Sequence, residues 1–433
     1  MELSNEEYYT RSVTELADIV PVTTSQEVFS TTGIKLVNRN VRLDSSFFER
    51  LGRHNILPPL EQCLVVENGV TNFEIVSMAQ KLLASDAPLA RMVSKLSGPD
   101  VLFETLQEIQ LSEPMVFLLT LARERRPALF VHSVTVALIC MYQGVRLNLP
   151  RKKLVELATA GLLHDVGELR IDKKLLKEGA HPTPAQREQI YTHPSTSQRM
   201  LLNSSIYSLD IVNAVMRHHE YIDGSGFPFS LIGIEMGEAA KILSIAEVAA
   251  TKLEQEALDG IPRLEVALKF NIQKFDPILL GFLSVLYQRD LENIEFNQTL
   301  TLVSLAHIHS QINNIGLAIL FWNRLLGNLQ IRPRTPSAYI HQRLNNLSQA
   351  TREAGINTAD QTSVTKCIDG DEKCMAELNQ INRETLKQIT EIVFEVQRRW
   401  PGFQSDMTEV GKVVNSWMEH MQGLLLQECE RKR

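Results

Sequence analysis

Cysteine is scarce in this chain. Five thiols, Cys63, Cys140, Cys367, Cys374 and Cys429, are scattered over 433 residues, and no two form a Cys-x-x-Cys pair. That excludes a zinc ribbon and a redox dithiol, and it points to a reducing compartment. Positive charge is not in excess either. Lys and Arg number 44 against 51 Asp and Glu, a net charge of -7, so no global field draws the surface toward nucleic acid or anionic lipid. A phosphate ligand would have to be met by local metal or cationic groups. The most apolar run, Gly316 to Trp322, is far too short to span a bilayer. Met1 to Glu7 lacks the basic and apolar segments of a secretory signal. No internal repeat is visible. The expectation is a cytoplasmic protein with neither a membrane nor a DNA partner.

What remains is ordinary globular material, 44% hydrophobic and 22% charged, long enough for two or three domains. Residues 1–70 read as a small mixed α/β unit with a regulatory or packing role. Ile34–Val37 and Val41–Leu43 flank Asn38-Arg39-Asn40, a hairpin pattern, and Ser46 with Glu49 resembles a capping box. Residues 71–290 read as mostly helical, opened by a second capping-box pattern at Thr71 and Glu74. Thr183-Pro184-Ala185-Gln186 marks another helix start, leading to Ile190 and His193. Residues 291–433 read as a C-terminal helical bundle. Leu386, Ile389, Val393, Val396 and Trp400 keep helical spacing, as do Val410, Val414, Trp417, Met421 and Leu425. A long loop is expected between Ala350 and Lys373.

One stretch, His132 to Glu247, concentrates imidazoles on apolar helix faces. His132 sits three residues after Leu129 and four before Val136. His164 follows Leu157 and Gly161 at helical steps, His218 follows Ile211 and Val215, and Glu247 follows Leu243. A lone histidine in such a place is usually a satisfied core residue. Several together, beside Asp165, are another matter, because each unsatisfied buried ring would cost about 1–3 kcal/mol. A metal supplies a shared partner, and an imidazole–carboxylate set suits iron, manganese, zinc or nickel rather than calcium or magnesium. Asp165 has two oxygens and can bridge two ions. Such a pair is the usual machinery of phosphoester hydrolysis.

The order His132, His164-Asp165, His193-Pro194, His218-His219-Glu220, Asp223-Gly224-Ser225-Gly226-Phe227-Pro228 resembles the HD-GYP family, bacterial phosphodiesterases that hydrolyse cyclic di-GMP to pGpG or GMP. Leu175-Leu176-Lys177-Glu178-Gly179 and Phe275-Asp276-Pro277 fit in the same order, so that the likeness covers about residues 120–285. The resemblance implies a mainly α fold, with an HD-type helical metal-dependent phosphohydrolase core between the two flanking units. It implies that His132, His164, Asp165 and Glu247 hold one divalent transition-metal ion, and Asp165, His193, His218 and His219 a second. Asp165 and residue 168 would serve catalysis. The 223–228 loop and Lys241 would face a cyclic dinucleotide, and the Gly-Phe-Pro segment would offer a surface to signalling proteins.

The sequence departs from that pattern at named places. Phe227 replaces the usual tyrosine, Glu247 an aspartate, and Lys241 an arginine. Glu168 stands where the family has a lysine facing the phosphate. No Arg-Pro-Tyr-Arg segment follows Lys252, and Ala128 occupies the place of an extra glutamate in some members, so two ions are expected rather than three. Two readings stay open: an active phosphodiesterase, and a module that binds nucleotide, metal or partner without hydrolysis. The flanking units are expected to tune access or to mediate self-association as a homodimer.

Overall fold

Side-chain caps set the helix boundaries. Thr71 accepts from the Glu74 backbone N–H while Glu74 reaches back to the Thr71 N–H, and Thr183 with Gln186 repeats the box. A computed structural model describes residues 4–176, 182–259, 263–287, 305–327, 330–354 and 372–431. The fold is mainly α. It divides into two compact units, Met1–Glu254 with Gln273–Arg289, and Gln255–Ile272 with Asp290–Arg433. Lys177, Glu178, Gly179 and Cys367 lie outside the described residues.

Among the described residues of the first unit, five short strands form two antiparallel sheets. β1 (Val22–Thr24) pairs with β5 (Leu64–Val66), and β2 (Val28–Ser30) lies between β3 (Lys35–Val37) and β4 (Ile56–Leu57). The hairpin expected across Asn38–Asn40 does not form. β3 turns back onto β2 instead, through Gly33 at φ 81°, and the segment after Asn40 bridges β1 at Thr23 and Arg42. The buried Thr24 hydroxyl explains this choice, since it accepts from the Val41 N–H and donates to the Asn38 carbonyl. The Ser46 cap is likewise replaced: Asp44 accepts the Ser46 N–H.

The helices carrying the histidines pack beside this segment. Pro127–Arg146 spans 20 residues with mean hydropathy 1.7, long and apolar enough by composition to cross a bilayer, and it exceeds the 316–322 run singled out above. Its apolar stretch is 83% buried inside the unit, which marks a core helix. Arg151–Leu163 lies hard against it. A Cβ on Gly161 would fall 2.7 Å from the Ala137 Cα and 2.9 Å from the Ala137 N, so the two backbones touch there. That contact brings the His132 and His164 rings to 5.3 Å.

Arg170 joins the strand-bearing segment to the turn after His164. Arg170 donates to Glu6 at 2.5 Å and to Glu61 at 3.0 Å, and its guanidinium lies 4.3 Å over the Tyr9 ring. Glu61 is only 2% exposed and also accepts from the Tyr9 hydroxyl.

The second unit is a helical bundle. Trp322 and Trp417 meet edge to face at 5.9 Å in its core, with Ile389, Val393 and Val396 from Glu372–Arg399 in the same cluster. Trp417 Nε1 donates to the Ala318 carbonyl at 3.0 Å, so the indole is buried without an orphaned donor.

Because its neighbour is backbone and cannot rotate away, Gly161→Ala should cost the first unit about 1–3 kcal/mol through overpacking. The thermal unfolding midpoint measures this; an unchanged midpoint would mean that the two helices part without penalty.

Candidate metal centre

Chain ends of helices aim most of the rings. His164 is the C-cap of Arg151–Leu163, and His193 begins the helix His193–Ser204 just after Pro184–Tyr191 ends. His218 and His219 follow the end of Leu209–Met216. The last carbonyls of a helix lack an intrahelical partner, and these rings use them. His164 Nδ1 lies 2.7 Å from the Gly161 carbonyl, His193 Nδ1 2.7 Å from that of Ile190, and His218 Nδ1 2.6 Å from that of Val215. A carbonyl only accepts, so each Nδ1 carries a proton and, in the neutral ring, each Nε2 presents a lone pair. Asp165 is not on the helix but leads into a tight turn, Val166–Arg170.

Those lone pairs converge. His193 Nε2 lies 3.1 Å from His218 Nε2 and 3.1 Å from His219 Nε2. Asp165 divides its two oxygens between two groups. Oδ1 is 3.3 Å from the Nε2 of His193 and 3.3 Å from that of His218, while Oδ2 is 3.2 Å from His164 Nε2 and 3.9 Å from His132 Nε2. Glu247 Oε2 closes the second group, 2.7 Å from His132 Nε2 and 3.1 Å from His164 Nε2. Ligand atoms of Asp165, His193, His218 and His219 thus lie within 4.8 Å of one another, and so do those of His132, His164, Asp165 and Glu247. The buried Asp165 Oδ1 has no hydrogen-bond partner.

This donor set fits cations. Opposed imidazole lone pairs repel, and an orphaned buried carboxylate oxygen is costly; a positive ion relieves both. The electrostatics agree. Burial lowers the pKa of His132, yet Glu247 and Glu254 outweigh it and raise it well above the usual range. Burial is likewise overcome at His164, which Asp165 and Glu247 push up to about 10. Asp165 and Glu247 are held well below the carboxylate range despite their burial, by the facing rings. His219, by contrast, is held well below the imidazole range by burial and by His218 and His193. The site calls for positive charge and keeps part of its imidazole set neutral. Imidazole nitrogen with carboxylate oxygen suits iron, manganese, zinc or nickel.

The 221–237 loop is built over this cluster. Phe227 stacks on the His219 ring at 4.7 Å and meets Tyr191 at 4.3 Å, so the ring that replaces tyrosine backs an imidazole of the cluster. Gly226 is required: a Cβ there would fall 2.4 Å from the Glu220 Cα. Asp223 accepts the Ser225 N–H at 2.9 Å, and Gly224 takes a φ of 74° in the same turn. Pro228 closes the segment. Phe275 packs edge-on against Tyr221, and the Lys274 carbonyl accepts the Ile222 N–H. Lys241 lies nearly two turns before Glu247 on Glu238–Asp259, and no hydrogen bond or ion pair described joins its side chain to the cluster.

Three residues had no role in the sequence reading, although Glu220 stood in its motif order. Glu220, fully buried, accepts the backbone N–H groups of Phe229, Ser230 and Leu231 at 2.5, 3.1 and 2.9 Å and folds the loop back. Its place beside the double histidine was the available signal. Arg126 pairs through Nη2 with the Glu168 carboxylate at 2.9 Å and through Nη1 with the Glu168 carbonyl at 2.5 Å; nothing in the sequence pointed to it. Glu254 lies 3.0 Å from His132 Nδ1, seven residues after Glu247, a spacing that returns to the same helix face.

Elemental analysis of the purified protein should find up to two divalent transition ions per chain. Asp165→Asn, which keeps shape and removes charge, should deplete both; retention of one ion at full occupancy would rule out a shared carboxylate.

The segment that carries the cluster is also the one that known proteins match. The family model described as HD domain matches residues 117–253, a segment that stops short of Phe275. Over 119 residues the chain is 31% identical to the cyclic di-GMP phosphodiesterase PA4108 of Pseudomonas aeruginosa, covering 28% of this chain and 29% of that one. It is 30% identical over 119 residues to the 3'3'-cGAMP-specific phosphodiesterase 1 of Vibrio cholerae, covering 28% and 27%. It is 29% identical over 154 residues to the cyclic di-GMP phosphodiesterase PdeB of Borreliella burgdorferi, covering 35% and 40%. The chain spans less than half the length of each of these relatives. With its histidines and Asp165 in the motif order and in one cluster, residues 117–253 match an HD domain, and the order of their motifs resembles that of the HD-GYP family.

Proposed function

We propose that this protein is a cytoplasmic metal-dependent phosphodiesterase that hydrolyses cyclic di-GMP to pGpG and GMP. The observation that carries the reading is the division of Asp165, with one oxygen toward His193 and His218 and the other toward His164 and His132. His132, His164, Asp165 and Glu247 hold one divalent transition ion, and Asp165, His193, His218 and His219 the other. Iron or manganese is the expected pair, with zinc or nickel the other metals that suit the donor set. When bound, two such ions supply Lewis acidity toward phosphoryl oxygens and a water acidified to a pKa of about 7.

The chain's own residues supply the rest. The Nδ1 contacts lock the rings, so the site is organised before the reaction starts. Glu168 would repel a dianionic substrate, but its carboxylate turns to Arg126, whose guanidinium offsets the charge. Burial, with Asp165 nearby, raises the Glu168 pKa, and the Arg126 guanidinium opposes that shift. Phe227 and the Asp223–Pro228 turn shape the groove, and Lys241 adds a cation at its edge. Phe229, Ile232 and Ile234, 56, 51 and 90% exposed, follow directly and give a signalling partner an apolar contact. A homodimer is the assembly we infer for the chain.

A second reading is favoured by Glu168 itself: the pair it makes with Arg126 also suits a module that binds a cyclic dinucleotide without cleaving it. One assay separates the two. Protein reconstituted with iron or manganese is incubated with cyclic di-GMP and, in parallel, 3'3'-cGAMP, and products are followed by chromatography. Formation of pGpG and then GMP, abolished in Asp165→Asn, is the expected result. Binding without turnover would select the second reading, and Arg126→Ala should then weaken that binding.

A further inference from the structure

His132 differs from the other clustered rings in what stands behind it. His164, His193 and His218 each set Nδ1 against a neutral main-chain carbonyl. His132 sets Nδ1 against a carboxylate, Glu254 Oε1, at 3.0 Å, while its Nε2 faces Glu247 Oε2 at 2.7 Å. Both carboxylates come from one helix, Glu238–Asp259, where seven residues amount to about two turns. The ring is held between them. Thr251, one turn after Glu247, donates its hydroxyl to Glu247 Oε1 at 3.1 Å and fixes the inner carboxylate in turn.

The two donor groups are therefore unequal. The first has two carboxylates, one of them shared, and two imidazoles, of which one is backed by a third negative charge. The second has only the shared carboxylate and three imidazoles, and two of these are backed by uncharged carbonyls. A carboxylate behind a ligating imidazole fixes its orientation and raises its basicity. More negative charge around one position also favours a divalent ion there. Resting on the two-ion reading above, we propose that Glu254 is a positioning residue acting through His132, and that the ion held by His132, His164, Asp165 and Glu247 is taken up first and more tightly than its neighbour.

Titration of the chelator-treated full-length protein with Mn²⁺, followed by calorimetry, tests this directly. Two resolved phases of one ion each are expected. Glu254→Gln keeps an acceptor for the Nδ1 proton and removes the charge, and should weaken the tight phase about 10-fold; Glu254→Ala removes both and should approach 100-fold. Neither should move the weak phase, whereas His219→Ala should weaken that phase alone. Melting curves of the variants confirm that they are folded. Two equivalent sites in the unaltered protein would overturn the inference while leaving a binuclear phosphodiesterase standing, and so would a tight phase insensitive to Glu254. A protein that takes up no Mn²⁺ at all would remove both, and turnover with another ion would then restore only the enzymatic reading.

Discussion

The Asp165 carboxylate is the constraint around which the HD domain is arranged. It is 4% exposed, and its two oxygens look in different directions toward rings from separate elements. A buried anion in such a place is tolerable only if positive charge meets it from several sides. Each neighbouring feature serves that need. The close crossing at Gly161 brings His164 toward His132, the freed carbonyls at helix ends turn three Nε2 atoms inward, and the Gly226 approach lets Phe227 back His219.

Much of this was legible in the sequence because it depends on short-range regularities. Helical spacing put His132, His164, His218 and Glu247 on buried faces, and all four are buried. The caps at Thr71 and Thr183 depend only on three-residue separations, and both formed. Other features depend on contacts distant along the chain. The Asn38–Asn40 segment read as a hairpin turn, but Thr24, far upstream, drew its carbonyl and the Val41 N–H away. Arg126 and Glu168 are 42 residues apart, and no periodicity links them. The polar character of Glu254 and Glu220 was plain, but their partners were not, because each acts on a neighbour selected by the fold.

Helix ends recur as the means of aiming imidazoles. A mid-helix histidine points wherever the helix axis dictates. At a terminus, the ring gains an acceptor in the freed carbonyl three residues back and loses a degree of rotation. His164, His193 and His218 all use this device, and they belong to different helices, so the precision of the cluster comes from repetition of one local solution. His132 is the exception, and it borrows a side-chain carboxylate in place of a carbonyl.

The Arg170 contact bears on how this HD domain can be recombined. The arginine closes the turn that begins with Asp165, and its countercharges, Glu6 and Glu61, belong to the strand-bearing segment. An HD module excised at residue 117 and fused to a foreign partner would carry the Arg170 guanidinium stripped of both acids, five residues from Asp165. Shuffling of the strand-bearing segment is therefore restricted: a replacement must bring its own paired carboxylates to the same spot, or the turn must surrender its arginine.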